Sequence, residues 1–405
     1  MNKISILIKI LLNSKIIFNS PERKDIILYD KTGSDQFKSV LKGKKYFILA
    51  DRKHEINKIY ISLKIFFLML LNVKANFFTS YLISLIKIIK PKIVLTFTDN
   101  SYKFSELAKI FKNNNNIKFI AVQNAYRLDL IEHNYLYKKK FHKLNLNDKL
   151  YLPYLFCLGQ FDKLLYKRLK IKVKKIFKLG SLRMANSIEY LRKKKLNYNI
   201  KKFDICLVSD TTWSAHFLKK KNNDIPESKN IKYSFLKTVK FTINFCRKYN
   251  KKFIFLPKNR KIDKHFKEEI NFYKKNLSKS DYNFLIRSID KNYMKKNYQY
   301  LCVFRSHVTV GFISTLLSES LSKGNKILAC NLSNIKILDF PIKSICTLVN
   351  CNYLRFQSRL LKILNMSNQK YFALLGNTKK NYMIYNNDKI SPILDLRNKL
   401  NSLII

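Results

Sequence analysis

Acidic residues are scarce in this chain. Among its 405 residues, 26 Asp and Glu stand against 80 Lys and Arg, a formal net charge of +54. Chain-breaking residues are scarce too, with 7 Gly and 7 Pro, and there is one Trp. So few glycines and prolines exclude a linker-rich or low-complexity chain, and a hydrophobic share of 47% excludes general disorder. The seven cysteines contain no Cys-x-x-Cys pair, and the six histidines form no His-Glu-x-x-His or Cys/His spacing, so no metal motif is present. Cys206 and Cys330 lie inside apolar runs, as free thiols buried in a reducing cytosolic protein do. A Walker phosphate loop, a G-x-G-x-x-G and a G-x-S-x-G are all absent, which leaves kinase, dinucleotide oxidoreductase and serine hydrolase readings without their signatures. Long apolar runs are missing as well. The opening MNKISILIKILLNSKIIF is interrupted by Lys9 and no small-residue cleavage site follows it. The segment 60–71 carries Lys64 and falls short of the roughly 20 residues of a membrane span, so a buried helix or strand is expected there.

The positive charge invites nucleic acid or an anionic membrane as partner. The lysines are spread along the whole chain, among abundant Asn, Ile, Phe and Tyr, as AT-rich codons would impose. No nucleic-acid recognition motif accompanies them, so nucleic acid is not the expected partner. A weak attraction to anionic lipid follows from the charge alone.

The length suits two domains. Apolar strand-like runs alternate with helical patterns: 24–30, 46–52, 91–99, 118–125 and 154–158, then 203–210, 253–258, 308–313 and 326–330. Alternation of this kind predicts an α/β fold of two Rossmann-like lobes with mostly parallel sheets. The charged spacer 193–202 marks the boundary. The expected division is a first lobe with its hinge segment at 1–192, a second lobe at 193–380, and a C-terminal helix within 381–405 that packs back on the first lobe. Ligands of such folds bind at the carboxyl ends of the strands, here in a cleft between lobes.

The stretch 300–331 is the sharpest local pattern. It reads as a strand around 308–313, a Ser314-Thr315 cap, a helix, a stop at Gly324 and a second strand. The helix N-terminus suits a phosphate. Glu319 lies one turn on, where a carboxylate can meet a ribose or simply face solvent. Asp99 ends the strongest strand of the first lobe, a place for a general base or for a helix cap shared with Asn100. Lys258, with Arg260, Arg183 or Arg305, could neutralise a leaving diphosphate, and a solvated loop lysine is the alternative for Lys258. Asp210 ends another strand, where it could bind donor hydroxyls or simply cap the next turn, and Thr211 beside it could contact a phosphate. Gln123 and Asn124 either bind an acceptor sugar or form a plain turn. His216 and His307 are read as packed or surface histidines.

KIVLTFTDNS, KFIAVQNAYR, KLGSLR, FISTLLSESLSKGNKIL and NYMIYNNDKISPILDLRNKL occur in this order. Together they resemble the bacterial surface-carbohydrate biosynthesis proteins, a glycosyltransferase-like group of GT-B architecture. More distantly, they are similar to UDP-N-acetylglucosamine 2-epimerase and the CDP-glycerol glycerophosphotransferases. The resemblance implies a metal-independent GT-B glycosyltransferase of surface polysaccharide synthesis. It would have no tightly bound cofactor, a nucleotide-sugar donor held by the second lobe, and a lipid-linked or growing glycan as acceptor. Its expected place is the cytoplasm, peripheral to the inner membrane. By position, Ser314 and Thr315 match the phosphate turn and Glu319 the ribose acid. Gly180, Ser181 and Arg183 match the hinge, Asp99, Asn100 and Ser101 the first-lobe turn, and Gln123 and Asn124 the turn after it. Where the epimerase pattern carries consecutive glycines, this chain has Ile313-Ser314-Thr315. A nucleotide-sugar 2-epimerase-like enzyme, and a non-enzymatic basic protein binding nucleic acid or anionic membrane, stay open as alternatives.

Overall fold

The computed structural model describes residues 12, 14–50, 52, 55–72, 75–127, 150–169, 171–209, 226–258, 264–292, 295, 297–312, 314–376, 382–383 and 391–404. They form two compact units. The first holds described residues up to Asn124, then 150–183 and 391–404; the second holds 125–127 and 184–383.

Eight strands belong to the first unit: β1 (Lys15–Ile17), β2 (Ile26–Tyr29), β3 (Tyr46–Leu49), β4 (Lys58–Tyr60), β5 (Ile93–Thr96), β6 (Lys118–Val122), β7 (Tyr151–Cys157) and β8 (Lys172–Lys178). Six of them make one wholly parallel sheet in the order β3-β2-β5-β6-β7-β8, and β1 pairs with β4 in a small parallel ribbon. Every residue of β2 and β5 is buried, which explains their unbroken Ile-Ile-Leu-Tyr and Ile-Val-Leu-Thr runs: both faces of a parallel sheet are covered. One cover is the helix Phe77–Ile89, capped by the Asn76 side chain at 3.0 Å from the Thr79 amide. The C-terminal helix Pro392–Ile404 belongs to this unit. Arg397 donates to the carbonyls of Val40 (3.1 Å) and Ser39, and Lys118 reaches the Leu403 carbonyl at 2.6 Å.

The second unit has β9 (Phe203–Val208), β10 (Phe253–Leu256), β11 (Ser306–Gly311), β12 (Lys326–Asn331) and β13 (Thr347–Val349), again wholly parallel, in the order β10-β9-β11-β12-β13. The division between units falls in the first turn of the helix Leu182–Lys193, upstream of the spacer 193–202. From that helix, Met184, Ile188 and Leu191 pack with Cys206, Ile254 and Leu301 in the second unit's core. Lys326 is buried and donates to the carbonyls of Ile363 (2.7 Å) and Met366 (2.8 Å), closing the C-terminal end of the helix Tyr353–Asn365. All seven cysteines are free, and all but Cys351 are buried.

One apolar element is not where the sequence placed it. Residues 60–71 do include a helix, Leu63–Leu70, but only its Ile65 is buried. Leu63, Phe66, Phe67, Leu70 and Leu71 are exposed by half or more of their surface, because the neighbouring helix Phe77–Ile89 covers one narrow face only. No helix among the described residues is long and apolar enough to cross a membrane.

Candidate active site

In each large sheet the strand order reverses once, and the carboxyl ends flanking that reversal are where open α/β folds hold ligands. In the second unit the reversal lies between β9 and β11. The chain leaves β11 directly into the turn at Ser314. The Ser314 hydroxyl accepts the Leu316 amide at 3.3 Å and caps the helix Thr315–Ser322. The Thr315 hydroxyl accepts the Tyr126 amide at 3.1 Å, so a turn from early in the chain is fastened to this helix start. Tyr126 also lies against Tyr382, whose hydroxyl meets Ser318 Oγ at 2.7 Å.

Glu319 does not face solvent. It is buried and accepts the Tyr300 hydroxyl at 2.9 Å. Lys258 is exposed at the end of β10, and its amide is held by buried Glu269 at 3.0 Å. Ser209, just after β9, is buried and bonded to the Tyr273 hydroxyl at 2.8 Å. The strand ends around the reversal are thus pinned from below by the helix Lys264–Asn276, which carries Glu269 and Tyr273. Asp210, Thr211, Arg260, His216 and Ile313 lie outside the described residues. Arg305 gives its Nε to the Asn197 carbonyl at 2.7 Å, and His307 is exposed on β11, its pKa lowered by burial and by Lys201.

In the first unit, Ser101 performs the capping: its hydroxyl accepts the Phe104 amide at 3.2 Å at the start of the helix Tyr102–Ile110. Asn100 beside it is exposed. Asp99 is fully buried. One oxygen accepts the Tyr166 hydroxyl and the other the Asn124 amide at 3.4 Å. Gln123 is buried, too. Its amide nitrogen donates to Asp162 at 2.6 Å and its oxygen accepts the Leu158 amide at 3.1 Å, tying the end of β6 to the end of β7. These two side chains shape the 123–124 turn from inside, and Asn124 is left half-exposed. Gly180 has φ +89°, Ser181 is buried, and Arg183 is exposed with its guanidinium 5.8 Å from the Phe97 ring at the end of β5.

The first unit's own reversal, between β2 and β5, carries a cluster that pattern reading missed. Asp30 directly follows β2, buried, with φ +73°. Arg52 lies 3.0 Å from its carboxylate, and the Thr32 amide donates to it at 3.1 Å. Glu55 accepts both the amide (3.3 Å) and the hydroxyl of Thr32. Burial first, then the hydrogen bond with Glu55, pushes the Asp30 carboxyl up to about 7 against the pull of Thr32 and Arg52. Glu55, despite its own partial burial, is held below the usual carboxylate range by hydrogen bonds from Asp30 and Thr32. A raised Asp30 beside a lowered Glu55 is the pattern of two carboxyls close enough to share a proton. The only signal in the sequence was that the runs 24–30 and 46–51 both end in Asp. Gly33, next in this turn, has φ +80°, and a Cβ there would stand 2.6 Å from Phe97, so the position requires glycine.

Among the described residues no group of three His, Cys, Asp or Glu could hold a metal. No family model matches the chain, and no curated protein does. Solved structures do. The chain is similar to the wall teichoic acid polymerase TagF in a CDPG-soaked structure, with 11% identity and a TM-score of 0.51 over 94% of this chain and 88% of that one. It is also similar to UDP-GlcNAc 2-epimerase from Neisseria meningitidis bound to UDP-GlcNAc, with 13% identity and a TM-score of 0.53 over 94% and 98%. The fold is GT-B-like. At these identities the likeness is one of architecture: two Rossmann-like lobes, each built on a parallel sheet.

Proposed function

We propose that this chain is an enzyme working on a nucleotide-activated sugar, a metal-independent glycosyltransferase that builds surface polysaccharide on a lipid-linked or growing glycan. The observation that carries the reading is the Ser314-capped helix start at the strand-order reversal of the second unit. Backbone N–H groups and the helix dipole there suit a diphosphate. Likeness in fold to a CDPG-soaked polymerase and a UDP-GlcNAc-bound epimerase supports the same ligand class. Glu319 and Asp99 act as positioning residues, Glu319 holding the helix through Tyr300 and Asp99 holding the 124 amide. Proton transfer falls to Asp30 and Glu55, whose half-exposed Glu55 can exchange the shared proton with solvent. The acceptor reaches the enzyme from an anionic bilayer, on which the bare helix Leu63–Leu70 rests.

A thermal-shift panel of UDP-, CDP-, GDP- and CMP-linked sugars tests the core of this. At least one compound is expected to raise the melting temperature by several degrees, as linkage requires of a ligand well above its dissociation constant. Ser314→Ala should shrink that rise. A panel that stabilises nothing removes the reading. The 2-epimerase alternative is favoured by one observation, the match over 98% of the epimerase chain. Incubation with the donor alone separates the two: an epimerase yields an isomer, whereas a transferase leaves the donor intact until acceptor is added.

A further inference from the structure

At the outer edge of the second unit's sheet, a cavity of about 580 Å³ opens between β13 and the helix Tyr353–Asn365. Four cations line it: Lys343, Arg355, Arg359 and Lys362. Its single carboxylate, Asp339, already accepts the Asn331 side-chain amide at 2.6 Å. Four cations less one carboxylate leave a surplus of three positive charges around one concave volume. Arg359 is half-buried and fixed, its Nη1 shared among the carbonyls of Ser344 (3.4 Å), Ile345 (3.1 Å) and Thr347 (3.2 Å). No bond involves its Nε or Nη2 among the described residues. The side chains of Lys343, Arg355 and Lys362 likewise have neither hydrogen bond nor ion pair among the described residues. Elsewhere, cations such as Arg247 and Lys399 meet a carboxylate at 2.7 Å.

Unpaired lysines are ordinary in a chain with this charge. Convergence on one cavity around an immobilised guanidinium is not. Like charges gathered in a concavity repel, and a polyanion relieves that repulsion while the planar Arg groups match phosphate oxygens. We propose that this cavity binds a small phosphorylated anion without a nucleobase, of the diphosphate class. The volume suits a small organic ligand, and the rest of the wall is hydroxyl and aliphatic, with no ring on which a base could stack. In the sheet order, β13 stands two places from β11, so the cavity is distinct from the Ser314 turn. The proposal does not depend on the nucleotide-sugar reading.

Calorimetric titration of the full chain with inorganic pyrophosphate, at near-physiological salt, is the test. One saturable site is expected. The triple variant Lys343→Ala, Arg355→Ala, Lys362→Ala should weaken it about tenfold or more, equivalent to at least about 1.4 kcal/mol. The control removes three exposed lysines of β8, Lys172, Lys174 and Lys178, and should leave the affinity within about twofold. Absence of saturable binding overturns the proposal. So does an equal loss in the control, which makes the effect one of net charge. If Ser314→Ala abolishes the site and the triple variant does not, pyrophosphate is reading the helix turn and the cavity carries nothing. Should the triple variant fail to fold, Lys362→Ala is compared with the same control.

Discussion

Asp30 is the residue whose environment most changes its chemistry. A folded-state pKa of about 7 lies above its usual value of 3.8, so the folded protein binds a proton there that the unfolded chain has released. Stability from this group is fully present below the unfolded pKa and is lost as pH rises through about 7. The lowered Glu55 works in the opposite sense at more acid pH. Asp30→Asn keeps an acceptor for Thr32 and removes the titration. Melting temperatures of wild type should therefore fall, relative to Asp30→Asn, between about pH 5 and about pH 8, by about 2–4 °C for each kcal/mol involved. Parallel pH profiles for the two proteins would show that Asp30 does not hold the proton. Under the functional reading, the acid limb of the rate profile should also move in Glu55→Gln, which a purely structural pair would leave in place.

At the scale of elements, the helix Leu63–Leu70 raises the largest question. Leu63 is 90% exposed and Phe77, at the start of the next helix, 81%. Exposed apolar surface of this kind suits an interaction site, and under the proposed function its partner is an anionic bilayer, which meets both the charge of the chain and these aromatic rings. Vesicles containing phosphatidylserine should pellet the wild-type protein. Phe66→Ser with Phe67→Ser should reduce the bound fraction severalfold while leaving the melting temperature nearly unchanged, since neither ring is buried. Equal binding to neutral vesicles, or a change from dimer to monomer in the variant, would assign the face to something other than anionic lipid. This helix also marks where sequence reading stops. Apolar composition says that a segment avoids water, but not what covers it. Strands and caps were legible because their signals are local: β2 and β5 are short buried runs rich in Ile, Leu and Val, β12 has an Ile-Leu-Ala-Cys centre, and Ser101 and Ser314 sit one residue before their helices. Side-chain roles were not, because the deciding partner is remote. Asp99 is occupied by Tyr166, Gln123 by Asp162 and Glu319 by Tyr300, and Asp30 meets Glu55 only because β2 and β3 are neighbours.

For the whole molecule, the scarcity of acid and its placement act together. Of 26 acidic residues, Asp30, Asp99, Asp162, Glu269 and Glu319 are buried and hydrogen-bonded inside the two units. They stabilise turns and strand ends but cannot offset charge at the surface, and 80 Lys and Arg against 26 Asp and Glu leave most cations without a counter-charge to pair with. Such a surface repels itself, and the repulsion is lost on unfolding because the charges move apart. Screening should therefore stabilise the fold. At about 0.01 M salt the Debye length is about 30 Å, comparable to a domain, and at about 1 M it is about 3 Å. The melting temperature is expected to rise steadily with sodium chloride across that range, by several degrees, with most of the gain below about 0.2 M, where the screening length changes fastest. Chloride is chosen because sulfate would also strengthen apolar burial. A flat or falling curve would mean that local pairing, and not the net field, governs stability. The β8 variant lacking Lys172, Lys174 and Lys178 sharpens the measurement: with three fewer charges, its melting temperature at low salt should exceed the wild type's, and the two curves should converge as salt is added.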